Sequence, residues 1–309
     1  MKTPIKPLTL YGYTHTKERE SEARQTLESL RWKNGVVCPR CGSGEITKIE
    51  SKQGKTIREG LYRCRDCRKA KKSNQFTVTV GTIFEDSHIH LDVWLQAIIL
   101  LCSSKKGMSA HQLHRQLGIT YKSAWFMAHR IRYGMERSTN RRMKGVIEAD
   151  ETYVGGKSRR VGRQTGFENK TPVVALVQRD GNVRSFVVQT VSAKSLKAVL
   201  TENINPSSDL MTDELDAYKK IGKEFASHQT VTHSKYEYVR GDVTTNTVEG
   251  FFSILKRGIN GVYHHVSREH LNRYLAEFNF RYNNRKVDDG TRVLSAISGF
   301  EGKRLMYKD

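Results

Sequence analysis

The 309-residue chain has no run of about 18 apolar residues, so no segment reads as a membrane span. Its longest apolar stretch, Trp94 to Cys102, is interrupted by Gln96. The opening MKTPIKPLTLYGYTHTKERE lacks the apolar core and cleavage site of a secretory signal, and the expected location is the cytosol. Thiols stay reduced there, so the five cysteines need an account other than disulfides. Acidic residues are scarce: 32 Asp and Glu face 53 Lys and Arg, a formal charge of +21. Such an excess makes a polyanion the default partner, because each phosphate neutralised releases condensed counterions. A lipid surface is the rival, and no apolar segment supports it. Internal repeats and low-complexity tracts are also missing. What remains, 37% hydrophobic residues in a chain of this length, is enough for a real core divided into two or three domains.

The pattern along the chain changes three times. Residues 14–32 carry Ala23, Leu27 and Leu30 at helical spacing. From Val36 to about Ser73 the texture is turns and short strands around paired cysteines. From His90 three helices are expected: Leu91 to Leu101, Ala110 to Leu117 behind the N-cap Ser109, and Tyr121 to about Met135, with Gly118 between the last two. A short helix, a glycine turn and a longer basic helix is a helix-turn-helix pattern. The basic linker RSTNRRMKG, residues 137–145, marks a domain boundary. Strands are then expected at Gly145–Tyr153, Thr171–Gln178 and Val183–Val191, with Arg179–Asn182 as a hairpin turn. Ser195–Asn203 and Leu215–Phe225 read as helices, Asp209–Thr212 and Thr230–His233 as strands, and Thr247–Arg257 and Arg268–Asn283 as long helices. Three antiparallel strands followed by alternating helix and strand is the order of an α/β, ribonuclease-H-like domain. The expected division is a helical segment at 1–32, a cysteine-paired zinc ribbon at 33–75, a helix-turn-helix module at 76–140 and the α/β, ribonuclease-H-like domain at 141–309.

Four of the cysteines form C-x2-C-x22-C-x2-C: Cys38, Cys41, Cys64 and Cys67. Zinc needs four soft ligands at tetrahedral corners, and each C-x2-C turn presents two thiolates to one ion. The alternative is four unligated thiols. A set of four leaves no open position, so one structural zinc is expected. Cys102 lies outside the pattern in a hydrophobic helix and reads as core.

Three carboxylates stand out by their settings. Asp150 lies in VIEADETYVGG on a predicted strand, Asp213 in DLMTDELDAY at the end of a short one, and Glu249 in NTVEGFFSILKRG in the first turn of a helix. Acids at the ends of adjacent strands, plus one on a facing helix, can hold two divalent ions about 3.5–4 Å apart for phosphoryl chemistry. Each has a plainer competitor: Glu148 shares the strand face of Asp150, Asp216 follows Asp213, and Glu249 could be the far end of a capping box begun by Asn246. Lys256 lies two turns beyond Glu249 on the same helix face; it reads as a phosphate contact, against a solvated lysine. Val248, Phe252, Leu255 and Ile259 mark the adjacent, core-facing side.

CPRC and CRDC, FTVTVGTIFEDSHI, IEADETYVGGK, MTDELDAY and NTVEGFFSILKRGINGVYHHVSREHLNRYLAEFNFRYNNR together resemble the zinc-ribbon DDE transposases of bacterial insertion sequences (ISXO-type) over nearly the whole chain. That resemblance implies that Asp150, Asp213 and Glu249 bind two magnesium or manganese ions. The 35 residues between Asp213 and Glu249 suit such enzymes and leave no room for a large insertion domain. It also implies cleavage at an element end and joining of the freed 3′-hydroxyl to target DNA, by a dimer or higher oligomer acting on double-stranded DNA of the bacterial nucleoid. Terminal inverted repeats would be read by the ribbon and the third helix, with Lys122, His129, Arg130 and Arg132 toward the major groove. The basic segment GGKSRRVGRQTGFENK offers Lys157, Arg159, Arg160 and Arg163 to a DNA strand, or is a solvated loop. His264, His265 and His270 read as polar contacts near the active site or DNA rather than as metal ligands. The competing functions are a DNA-binding regulator without catalysis, a ribonuclease-H-like nuclease without strand transfer, and a DNA-packaging protein.

Overall fold

A computed structural model describes residues 14–50, 57–137, 141–155 and 170–306. The chain divides into two compact units. Unit 1 takes in the residues up to Ser104, Met108–Met135 and the chain from Asp288 onward; unit 2 takes in Lys105–Gly107 and Glu136–Val287. The expected domain at 141–309 is therefore corrected at its far end, because the segment after Asp288 packs with the N-terminal elements.

Unit 1 begins with α1 (Lys17–Arg31), started by Thr16, whose hydroxyl accepts from the Arg19 N–H. Three short antiparallel strands follow, β1 (Ile46–Lys48), β2 (Tyr62–Cys64) and β3 (Gln75–Phe76), with the one-turn helix α2 (Arg65–Lys69) between the last two. Trp32, Tyr62 and Phe76 pack edge-on and stacked over this small sheet, and the Tyr62 hydroxyl donates to Glu28 of α1 at 2.9 Å. Then come α3 (Leu91–Ser103), α4 (Ala110–Leu117) and α5 (Tyr121–Met135). Ser109 caps α4 as expected, and Gly118 closes it at φ 66°, a left-handed turn that a Cβ would strain. The last helix of the chain, α10 (Asp289–Ser298), packs on α3, and Phe300 lies against Gly134 of α5, where a Cβ would meet the ring at 2.3 Å.

Unit 2 is a five-stranded sheet of β4 (Val146–Val154), β5 (Thr171–Gln178), β6 (Val183–Val187), β7 (Asp209–Thr212) and β8 (Ser227–Thr230), with α6 (Ala193–Asn203) before β7 and α7 (Asp216–Ile221) after it. Its order is β6-β5-β4-β7-β8; β4, β5 and β6 are antiparallel neighbours, whereas β7 and β8 run parallel to β4. That order, three meandering strands extended by two parallel ones, is the ribonuclease-H-like sheet. The expected last strand at Thr230–His233 lies earlier, at Ser227–Thr230; His233 begins a short 3-10 turn. A two-stranded ribbon, β9 (Val239–Arg240) and β10 (Val243–Thr244), leads into α8 (Asn246–Gly258), which is followed by α9 (Arg268–Asn283).

The sheet is covered on both faces, and the two-residue period of its strands decides what each face meets. Val173, Ala175 and Val177 of β5 join Val248, Phe252 and Leu255 of α8 and Leu271, Leu275 and Phe278 of α9. Val174 and Leu176, one residue out of phase, join Leu196 and Leu200 of α6 and Tyr218 of α7. In β4 the same alternation sends Ile147 and Ala149 toward α6 and α7 and leaves Glu148 and Asp150 on the α8 face. Leu255 is fully buried, and cutting such a side chain to Ala costs about 2–5 kcal/mol.

Candidate active site and metal centre

The ribbon brings its four thiols together. Cys38 Sγ lies 3.8 Å from Cys67 Sγ, Cys41 Sγ 3.6 Å from Cys64 Sγ, and Cys67 Sγ 3.5 Å from Cys41 Sγ. Four sulfurs on a zinc ion with bonds of about 2.3 Å stand about 3.8 Å apart, so the spacing fits that ion. Cys64 ends β2 and starts α2, and its sulfur accepts the Cys67 N–H at 3.4 Å, which turns the second pair inward. Cys102 is buried in α3, away from this cluster.

In unit 2 the parallel register of β4 and β7 pairs Val146 with Asp209 and Glu148 with Met211. Continuing that register places Asp213, just past the end of β7, level with Asp150. One carboxylate oxygen each from Asp150, Glu151 and Asp213 falls within 4.8 Å of the others. Asp150 Oδ1 accepts the Glu151 N–H at 2.7 Å, and Asp213 Oδ1 accepts the Leu215 N–H at 3.1 Å. Glu151 takes the hydroxyl of buried Tyr218 at 2.8 Å. Burial first, and then the charges of Glu151, Asp213 and Glu249, push the Asp150 carboxyl up to about 7. Burial likewise raises Glu151 and Asp213, the neighbouring acids adding to both. A divalent cation would relieve so crowded a set of oxygens, and hard carboxylate ligands are of the kind that suits magnesium or manganese.

Glu249 stands outside this 4.8 Å cluster, although its charge reaches both aspartates. Its carboxylate accepts the Thr245 hydroxyl at 2.8 Å and lies 3.4 Å from Nε2 of His233. Thr245, not Asn246, is the residue before the helix and its own side chain makes no capping hydrogen bond, so the capping box begun by Asn246, the plainer alternative for Glu249, does not form. Glu148 fixes the helix in place. Fully buried, it accepts the N–H groups of Thr247 and Val248 at 2.8 and 3.1 Å and the Thr247 hydroxyl at 2.9 Å, and it pairs with Arg179 Nε at 2.8 Å. A carboxylate at a helix N-terminus satisfies orphan donors and meets the positive end of the dipole. Glu148 is thus a strut between β4 and α8 rather than a bystander.

Lys256 is exposed on α8, two turns beyond Glu249. Lys122 is exposed at the start of α5. Arg130 and Arg132, expected on DNA, are instead buried, at 3% and 2% exposure, as is His129. The Arg130 guanidinium is held by the carbonyls of Leu305 at 3.0 Å and Glu85 at 2.6 Å, so the C-terminal half of α5 belongs to the core of unit 1. Lys157, Arg159, Arg160 and Arg163 lie outside the described residues. His264, His265 and His270 join no metal-ligating group among the described residues. Sequence reasoning missed Glu151 and His233: the first is sent to the opposite strand face by alternation, and no motif singles out the second.

A ribonuclease-H-like sheet with acids gathered where β7 ends beside β4, preceded by a four-thiol ribbon, defines a class of nucleic-acid-processing enzymes. Residues 142–283 match the ISXO2-like transposase domain, and residues 18–70 match the transposase zinc-ribbon domain. The chain belongs to this family of insertion-sequence transposases, and the ribbon match together with the four gathered thiols supports a structural zinc. It is 28% identical over 284 residues to an uncharacterized protein in transposable element ISH50 of Halobacterium salinarum, with 85% of this chain and 90% of that one covered. It is 24% identical over 115 residues to an uncharacterized transposase-like protein of Haemophilus influenzae, across 37% of this chain and 92% of the relative. The Mos1 strand transfer complex is similar at a TM-score of 0.28 and 12% identity, over 66% of this chain and 72% of that one, too distant a likeness to bear on the site. Among the described residues no helix is long and apolar enough to cross a membrane.

Proposed function

We propose that this transposase cuts DNA at the ends of its element and joins the freed ends to target DNA, using metal ions held by Asp150, Asp213 and Glu249 with Glu151 as a further ligand. The observation that carries this reading is the convergence of three carboxylates within 4.8 Å where β7 ends beside β4. Divalent cations bound there would neutralise nonbridging phosphate charge and lower the pKa of water. Asp150, Glu151 and Asp213 would hold one side of the site and Glu249, brought in by α8, the other. Thr245 and His233 aim the Glu249 carboxylate, and Tyr218 aims that of Glu151. Water would attack the phosphorus and break the P–O3′ bond, leaving a 3′-hydroxyl. That hydroxyl would then attack a target phosphodiester and release a target 3′-hydroxyl in turn. Lys256 would hold a backbone phosphate, and the segment carrying Lys157, Arg159, Arg160 and Arg163 would follow a DNA strand.

The ribbon and the α4–α5 pair, as a helix-turn-helix, would recognise the terminal inverted repeats, with exposed Lys122 on the DNA. Pairing two element ends calls for a dimer or larger assembly during reaction, on nucleoid DNA in the cytosol. The test is transfer of a labelled element end into plasmid by the full chain, with magnesium and with chelator. Joined product that disappears with chelator is expected. Cleavage without joining would instead favour a nuclease, and end-specific binding without either would favour a regulator.

A further inference from the structure

A third group of metal-ligating side chains lies in unit 1, apart from the ribbon thiols. His15 stands just before α1, Glu20 in its first turns, and His90 is the residue before α3. One ligand atom from each falls within 4.8 Å of the others. The imidazoles of His15 and His90 stack with centroids 3.7 Å apart and planes 11° from parallel, and Glu20 Oε2 is 4.0 Å from His90 Nδ1. Ligand atoms on a zinc ion with bonds of about 2.0–2.1 Å stand about 3.3 Å apart, so small side-chain movements close the set.

The surroundings also fit. Behind His15, both oxygens of Asp92 accept from Nδ1, at 3.1 and 3.0 Å, and the Asp92 side chain is only 2% exposed. A carboxylate behind an imidazole fixes the tautomer, leaves the Nε2 lone pair for a metal and raises its basicity. Glu20 has structural work as well: Oε2 accepts the Leu91 N–H at 2.6 Å, and Oε1 takes Arg24 at 2.9 Å. Helix capping accounts for Glu20, and an ion pair accounts for Asp92 and His15. Neither accounts for a second imidazole laid flat on the first beside a carboxylate. The positive ends of α1 and α3 oppose a cation here, but Glu20 and Asp92 bring two negative charges against the one of Arg24.

We propose that His15, Glu20 and His90 bind a second zinc ion, with Asp92 positioning His15 and water completing the shell. Two imidazole nitrogens and one carboxylate oxygen form a borderline ligand set suited to zinc. The ion would tie the start of α1 to the start of α3 and would not depend on the DNA reaction. The test uses the full chain, without a histidine tag, equilibrated with micromolar free zinc and analysed for metal. Two zinc ions per chain are expected, falling to one in His90→Ala and in His15→Ala. His90 is 55% exposed, so its replacement should leave the far-ultraviolet circular dichroism unchanged. In cobalt-loaded protein the second equivalent should add weak visible bands without thiolate charge transfer, and His90→Ala should lose only those bands. Asp92→Asn should weaken the second ion by about 10–100-fold. One zinc per chain in the unaltered protein, or two in the double histidine variant, would overturn the proposal.

Discussion

The ribbon thiols come in two local pairs, each closed within a four-residue turn, whereas the acids of unit 2 are gathered from two strands and a helix far apart in the chain. The sulfurs lie 3.5–3.8 Å apart, already spaced as ligands of one ion. Three of the acids fall within 4.8 Å of one another, and Glu249, outside that set, is held by Thr245 and His233. A closed, soft set of ligands holds an ion for stability; an open, hard set leaves room for substrate oxygens. The difference teaches that the first cluster can be lost as a local folding unit, while the second depends on the whole sheet and α8.

The largest expected effect breaks the first cluster. Cys64→Ser should release the ribbon zinc, forfeiting on the order of 10 kcal/mol of apparent binding free energy, and unfold the ribbon. Metal analysis and limited proteolysis would show the ribbon cut while the sheet of unit 2 resists; a protected, zinc-loaded variant would contradict this. Next, Glu249→Gln or Asp150→Asn should lower strand transfer by about 10²–10³-fold or more while end binding changes little. Labelled-end transfer measured beside filter binding checks it, and full activity in either variant would remove that acid from the site.

A smaller effect sharpens the idea that the acid cluster is built by long-range supports. Glu148→Gln should destabilise unit 2 by on the order of 3 kcal/mol, because Arg179 and the first N–H groups of α8 lose a charged partner. An unchanged thermal melt would mean that the strut carries no weight. Smallest of all, Lys122→Ala should flatten the salt dependence of DNA binding by about one unit of slope, whereas Arg130→Ala should lower the melting temperature and leave the slope alone. The reverse pattern would return Arg130 to the DNA.

How much of this was legible follows the same divide. The ribbon could be read because Cys38, Cys41, Cys64 and Cys67 announce themselves by local spacing. Asp213 and Glu249 could be noticed because each sits at an element end, Asp150 because it interrupts an apolar strand, and the strand-like runs of β4 and β5 made the sheet readable. Glu151 escaped, since strand alternation turns it away from Asp150, and only the end of β7 lets both reach Asp213. Glu148 was taken for a competitor because its partners, Thr247 and Arg179, are remote in the chain. Arg130 and Arg132 read as surface charge although both are buried, and nothing near Arg130 in sequence reveals that the carbonyls of Leu305 and Glu85 would hold it. Burial of an arginine is decided by tertiary partners, and periodicity carries no record of those.

The return of the chain to unit 1 has a consequence for the order in which the protein comes into being. Arg130 waits for the carbonyl of Leu305, and Gly134 waits for the ring of Phe300. During synthesis unit 1 is therefore left open until the whole of unit 2 has been made. A product stopping after Met135 would carry Lys122 and the ribbon but would leave a buried guanidinium without one of its two acceptors. Expressed alone, such a fragment should be digested far faster by protease than the same residues in the full chain. Aborted translation would then yield no lasting competitor for the element's ends, because the unit that would bind them is finished last.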